Sequence, residues 1–219
     1  MSEGLAVRQK KAVRLTVGIL VAVIASIIVA IVLKFATMQP DLKAELERSH
    51  TLYFETPRLV PDVALTKHTG EPFSVDQLKG QWDLINFGYT YCPDICPTNM
   101  ADMKQARAQL EAQGLADQVR FWMVTVDPAR DTVEQLSQYV PYYHPEFIGL
   151  TGSLDDITTL ATQLSAVFYQ EGSGEGYTVA HSDNYALIDP QGHFVALMRP
   201  PHKPSHIVDA LSVLITQGS

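Results

Sequence analysis

The chain has 219 residues, 46% hydrophobic and 18% charged, with a formal net charge of -8. That length suits one domain with a sizeable core. The acidic balance leaves no basic stripe to neutralise phosphates, which excludes nucleic acid as the expected partner.

Residues 1–14 carry Arg8, Lys10, Lys11 and Arg14. They precede an uncharged apolar run, LTVGILVAVIASIIVAIVL from Leu15 to Leu33, which Lys34 closes. As a helix at about 1.5 Å per residue the run spans ~28 Å, close to the roughly 30 Å hydrocarbon thickness of a bilayer. A cleaved signal peptide would have an apolar core of only about 7–15 residues with a small-x-small site after it. The following LKFATMQP offers none, so residues 15–34 are expected to be a retained transmembrane anchor. The basic flank, against the lone Lys34 beyond the run, predicts a cytoplasmic N-terminus and an exported remainder. Nothing ahead of the anchor resembles an Arg- and Ser-rich organelle presequence. The expected setting is therefore the bacterial inner membrane, single-pass, with the domain in the periplasm. In that oxidising compartment two cysteines can serve as a disulfide, a redox pair or a metal clip.

Residues 35–56 read as a polar linker with room for one short helix at DLKAELER. Residues 57–219 read as an α/β domain, expected to fold without the anchor. Asp83 to Tyr89 is an apolar run of strand length that delivers Cys92 just past its end. Pro97 suits the first position of the next helix, and Gly114 supplies its stop. A second buried strand is expected at Val119 to Val126. Two helices follow, DTVEQLSQYV with Asp131 as its cap and SLDDITTLATQLSA with Ser153 as its cap. NYALID and HFVALM flank the turn PQG as a hairpin, and a last amphipathic helix starts near Ser205. Parallel strands joined by helical crossovers and closed by an antiparallel hairpin make the plan of a thioredoxin-like domain, a mixed sheet flanked by helices.

The stretch FGYTYCPDICPT holds both cysteines of the chain, Cys92 and Cys96. Proline at 97 biases Cys96 toward extended geometry and so toward the helix N-cap. Both sulfurs are then expected near a helix N-terminus, where partial positive charge favours thiolates. Three intervening residues differ from the two of thioredoxin-type exchange. A structural zinc site wants four ligands, and no second cysteine pair exists. Two thiolates with one imidazole suit copper. On these residues alone metal binding, redox exchange and a structural disulfide all stay open.

Taken with VTVDPARDT and YTVAHSDNYALIDPQG, the cysteine stretch resembles the Sco (SenC) family of membrane-anchored, thioredoxin-fold copper proteins. The resemblance runs from about Arg58 to Gly192 in consistent order, and the Cys-Pro-Asp-Ile-Cys-Pro stretch is its specific part. It implies that Cys92, Cys96 and a distant histidine, here His181, bind copper. It further implies a metallochaperone, not an enzyme with turnover, that helps assemble the dinuclear copper site of cytochrome c oxidase. Its expected partners are the oxidase copper-site subunit and a periplasmic thiol reductant. The alternative is a thiol–disulfide reductase that keeps the oxidase cysteines reduced, in which Cys92 and Cys96 are the redox-active pair and His181 is dispensable.

None of the other six histidines matches the family position. Where family members carry Asp just before the histidine this chain has Ala180, which predicts weaker Cu(II) binding. Tyr89 and Tyr91 are expected as a rim, and Met123 and Met198 as core. Thr90, two places before Cys92, suggests a peroxidase, a reading that lacks a partner arginine near the loop.

Overall fold

The computed structural model describes residues 2–37, 41–174 and 176–217, and within the first helix the side chains of residues 14–34. Residues 38–40 of the expected linker and the side chains of Arg8, Lys10 and Lys11 lie outside what is described. The chain divides into two units, Met1–Asp41 and Leu42–Ser219. The first holds one long helix, α1 (Ser2–Thr37). Its apolar stretch Arg14–Lys34, 21 residues, is long enough to cross a membrane.

The second unit begins with α2 (Leu42–Arg48), β1 (Thr51–Leu59) and β2 (Leu65–Lys67), followed by β3 (Trp82–Gly88), α3 (Ile95–Ala112) and β4 (Val119–Thr125). It continues through α4 (Val133–Tyr143), β5 (Ile148–Gly152), α5 (Leu154–Gln163), the hairpin strands β6 (Phe168–Glu171) and β7 (Thr178–His181), β8 (Tyr185–Ile188), β9 (His193–Met198) and α6 (Pro204–Gln217). Seven strands form one mixed sheet in the order β1-β9-β8-β3-β4-β5-β2, and β6 and β7 form a separate pair. β3, β4 and β5 are parallel neighbours joined through α3 and α4, while β8 runs antiparallel to β3 and to β9. This is the thioredoxin-like arrangement, with its central strand β3 buried along its whole length, as a strand covered on both faces must be.

The two faces carry separate cores. One gathers Leu46, Leu84, Met100, Met103, Met123, Leu136, Tyr185, Ile207 and Leu211 under α2, α3, α4 and α6. The other gathers Ile85, Phe87, Trp122, Val124, Ile157 and Leu160 on the α5 side. Met123 and Met198 are core residues, 1% and 0% exposed.

Several local expectations change. The linker reading of 35–56 does not hold beyond Asp41. α2 buries Leu46 completely, and β1 pairs with β9 through Thr51↔Met198, Leu52↔Leu197 and Tyr53↔Ala196. Polar side chains line the outer surface of these elements, so the segment reads as solvated although its few apolar residues anchor it. Strand β5, IGLTG, is not legible as a strand because its two glycines are of a type depleted in strands. Packing explains both glycines. A Cβ on Gly149 would lie 2.8 Å from Val140 Cγ2, and one on Gly152 2.6 Å from Leu65 Cδ2. The cap of α4 is Thr132, whose Oγ1 accepts from Gln135 N–H, and Asp131 is turned inward. Ser153 caps α5 as expected, accepting from Asp156 N–H at 3.0 Å.

Candidate metal centre

Strand β3 ends at Gly88, and the chain then makes the loop that carries Cys92 and leads into the helix that carries Cys96. Asp131 fixes the start of that loop. It is 0% exposed and accepts from Thr90 N–H (3.0 Å), Thr90 Oγ1 (2.6 Å) and Thr125 Oγ1 (2.7 Å). Burial raises its carboxyl above the ordinary range, and the Thr90 and Thr125 donors oppose that shift. The residue read as a helix cap is thus a buried clamp, tying the cysteine loop to the end of β4.

Helix α3 starts at Ile95, so Cys96 lies in its first turn instead of at its cap, and Pro97 stays within the turn. Proline is tolerated there because the first helical N–H groups have no intrahelical acceptor. With Cys96 helical, its N–H points back at Cys92 Sγ, 3.5 Å away. Cys92 is half-buried and Cys96 fully buried, and both are free thiols. Burial pushes the Cys96 thiol far up, with further contributions from Cys92 and Asp183.

His181 arrives on β7, not on a loop. It is the last residue of that strand and pairs with Phe168. Its Nε2 lies 3.3 Å from Cys96 Sγ and its Nδ1 3.1 Å from Ser182 O. A proton on Nδ1, donated to that carbonyl, leaves the Nε2 lone pair directed at the sulfur. The main chain thus supplies a neutral acceptor for the ring, where a carboxylate at position 180 would have supplied a charged one. The sulfurs of Cys92 and Cys96 and a ring nitrogen of His181 lie within 4.8 Å of one another. This is the one such cluster among the described residues. Two soft sulfurs and one imidazole form a donor set that fits copper in either oxidation state.

The surroundings hold residues that sequence reasoning missed. Asn99 Nδ2 donates to Asp183 Oδ1 at 2.6 Å, and His202 Nε2 donates to Asp183 O at 2.7 Å. Together they moor the segment after His181 to α3 and to the entry of α6. His202, placed by sequence merely beside the last helix, is 6% exposed and stacks on Tyr185. Arg130 lies where no arginine was expected. Its guanidinium sits 3.7 Å from the Tyr177 ring and 4.9 Å from the Tyr91 ring, and it is paired to Asp127. Thr90 is committed to Asp131, so the peroxidase reading gains nothing from this arginine. Tyr91 is 54% exposed and does form a rim, whereas Tyr89 is 2% exposed and accepts from Val179 N–H. Apart from the Arg130–Asp127 pair, these contacts join residues well separated in the chain, so no local sequence signal marks them.

Gly88 is closely faced by Cys96. A Cβ there would lie 3.2 Å from Cys96 Sγ and 3.6 Å from Cys96 Cβ. Gly88→Ala is therefore expected to displace the sulfur and weaken copper binding by roughly tenfold, a loss typical of a misplaced ligand. The crowding should cost about 1–3 kcal/mol of stability. A chelator-competition titration beside a thermal melt reads both, and unchanged affinity would show that the sulfur need not be where it is seen.

Comparison with known proteins agrees with this geometry. The SCO1/SenC family model matches residues 54–216. A Stutzerimonas stutzeri protein named for copper binding is 37% identical over 178 residues, covering 81% of this chain and 87% of that protein. The human mitochondrial protein SCO1 homolog is 34% identical over 157 residues, covering 70% of this chain and 52% of the relative. The chain thus spans most of the bacterial relative but only about half of the human one. Among solved structures, Arabidopsis thaliana ScoI with copper bound superposes with a TM-score of 0.67 at 30% identity, covering 72% of this chain and 99% of that one. Bradyrhizobium japonicum ScoI with copper bound gives 0.63 at 29% identity, covering 70% and 98%.

Proposed function

Because the chain belongs to the SCO1/SenC family, we propose that it holds one copper ion through Cys92, Cys96 and His181. That ion is cargo, delivered to the dinuclear copper site of cytochrome c oxidase. The carrying observation is the convergence of two sulfurs and one imidazole nitrogen within 4.8 Å, drawn from a loop, the first turn of α3 and a strand, with Cys96 and His181 85 residues apart. The buried Cys96 keeps its proton in the metal-free protein, and copper displaces it as the sulfur becomes a ligand. The imidazole, held by Ser182 O, keeps its Nε2 lone pair toward the metal position. The half-buried Cys92 is the more accessible of the two sulfurs and hence the natural point of exchange with a recipient sulfur.

In this reading α1 anchors the protein in the bacterial inner membrane. The basic residues before Leu15 keep the N-terminus cytoplasmic, and the second unit is periplasmic. Repeated delivery requires both sulfurs to be reduced, so a periplasmic thiol reductant completes the cycle. The second reading, a thiol–disulfide reductase acting on the oxidase cysteines, draws on one specific observation. A half-buried Cys92 beside a buried Cys96 is also the arrangement of an attacking and a resolving thiol.

Copper and the Cys92–Cys96 disulfide should exclude one another, because a sulfur bonded to sulfur is not available as thiolate. Reduced protein, gel-filtered after copper loading, is expected to retain one copper per chain, and oxidised protein none. Stoichiometric copper on the oxidised form would overturn the ligand assignment.

A further inference from the structure

Asn86 lies in the middle of β3, 1% exposed. Neither its Nδ2 nor its Oδ1 has a hydrogen-bond partner among the described residues of the protein. A buried carboxamide left this way is destabilising, whereas an apolar side chain of similar volume would carry no such cost. Native proteins leave few such groups, and those they keep commonly mark an enclosed water or a functional role.

The position of Asn86 supplies the role. Side chains two apart on a strand share a face, so Asn86 and Gly88 both look toward α3, and Cys96 Sγ stands over Gly88. The cross-strand neighbours of Asn86 are Met123 on β4 and Tyr185 on β8. Met123 Cε lies 3.7 Å from the Gly88 Cβ position, closing the other side with apolar surface. The Tyr185 hydroxyl is also buried without a partner among the described residues. Burial holds this phenol protonated, so it is able to donate. Asn86 and Tyr185 share one row of the sheet, next to the Gly88 position that Cys96 Sγ covers. An enclosed water needs two to four polar partners, and these side chains provide that number.

Building on the copper reading, we propose that Asn86 and Tyr185 are positioning residues that bind an ordered water beneath Cys96. That water donates a hydrogen bond to the sulfur once copper has made it a thiolate. The arrangement accounts for a polar side chain that weakens the apo fold, because its benefit appears in the loaded state. No proton or electron is transferred through it. It orients the ligand and disperses its negative charge, as hydrogen-bonded partners of metal ligands do.

The test sets stability against affinity. Asn86→Leu should melt at the same or a higher temperature than wild type, yet bind copper about tenfold more weakly. Its sulfur-to-Cu(II) charge-transfer band should also shift. Tyr185→Phe, which removes one oxygen, should move affinity and band in the same directions, and it guards against misfolding of the leucine variant. Asn86→Ser, which keeps a donor, should restore most of the affinity. A high-resolution structure of the metal-free protein should show a water within hydrogen-bond reach of Asn86 and Tyr185. Unchanged affinity and band in Asn86→Leu and Tyr185→Phe would overturn the inference, as would an affinity loss that only tracks a lower melting temperature. A dry pocket would overturn it whatever copper does. Wild-type protein that takes up no copper sinks the copper reading itself, a result separate from these.

Discussion

Replacing His181 by alanine is expected to remove most Cu(II) affinity while measurable Cu(I) binding persists. Two thiolates hold Cu(I) in a two-coordinate site, but Cu(II) wants further nitrogen or oxygen donors. His181 supplies the ring nitrogen of the cluster, its Nε2 3.3 Å from Cys96 Sγ. The Cu(II) loss should exceed the roughly 100-fold at the upper end of what removing a ligand's hydrogen-bond partner costs. Folding should be little affected, since the residue ends a short two-stranded sheet and is only half-buried. The same variant separates the two functional readings. Copper delivery requires the imidazole, so cells carrying His181→Ala should fail to assemble active oxidase, as should Cys92→Ser and Cys96→Ser cells. Thiol reduction requires only the sulfurs. Normal oxidase in His181→Ala cells, with both serine variants defective, would replace the copper reading with the reductase one.

A fragment starting at Thr56 should be unstable and aggregate, whereas one starting at Asp41 should fold. The shorter fragment loses α2 and the first strand pairs of β1 with β9, at Thr51, Leu52 and Tyr53. It also loses Leu46, which is 0% exposed in the core under α6, and Phe54, whose ring packs edge-on against Phe194 at 5.0 Å. Removing a fully buried leucine side chain alone costs about 2–5 kcal/mol. A domain of this size has only about 5–15 kcal/mol in total. The cut would also leave much of β9 as an unpaired edge, a template for association between chains. Denaturant titration and light scattering on the two fragments check this, and equal stability would show that α2 and β1 are dispensable.

Sequence by itself determined what depends on neighbours along the chain. The anchor is a run of apolar residues, and its length is the criterion for spanning. Strands β3, β4, β8 and β9 are short apolar segments bounded by turn residues, and helices α3 to α6 carry their periodicity and stops locally. The two cysteines announce themselves by spacing, and His181 was found through resemblance, since nothing local distinguishes it from six other histidines. Tertiary structure decided what depends on residues far apart. It made a strand of the glycine-bearing β5, because α4 and β2 approach where a side chain would stand. It drew α2 and β1 into the core, although few of their residues are apolar. It turned Asp131 from a helix cap into the clamp on Thr90, 41 residues away. Above all it brought His181 across 85 residues to Cys96 and gave its Nδ1 the Ser182 carbonyl. It also set Asn86 on the same face of β3 as Gly88, which the sulfur covers. A strand pattern shows only that position 86 is buried. That its polar atoms find no partner among the described residues follows from which side chains the sheet and α3 bring around it.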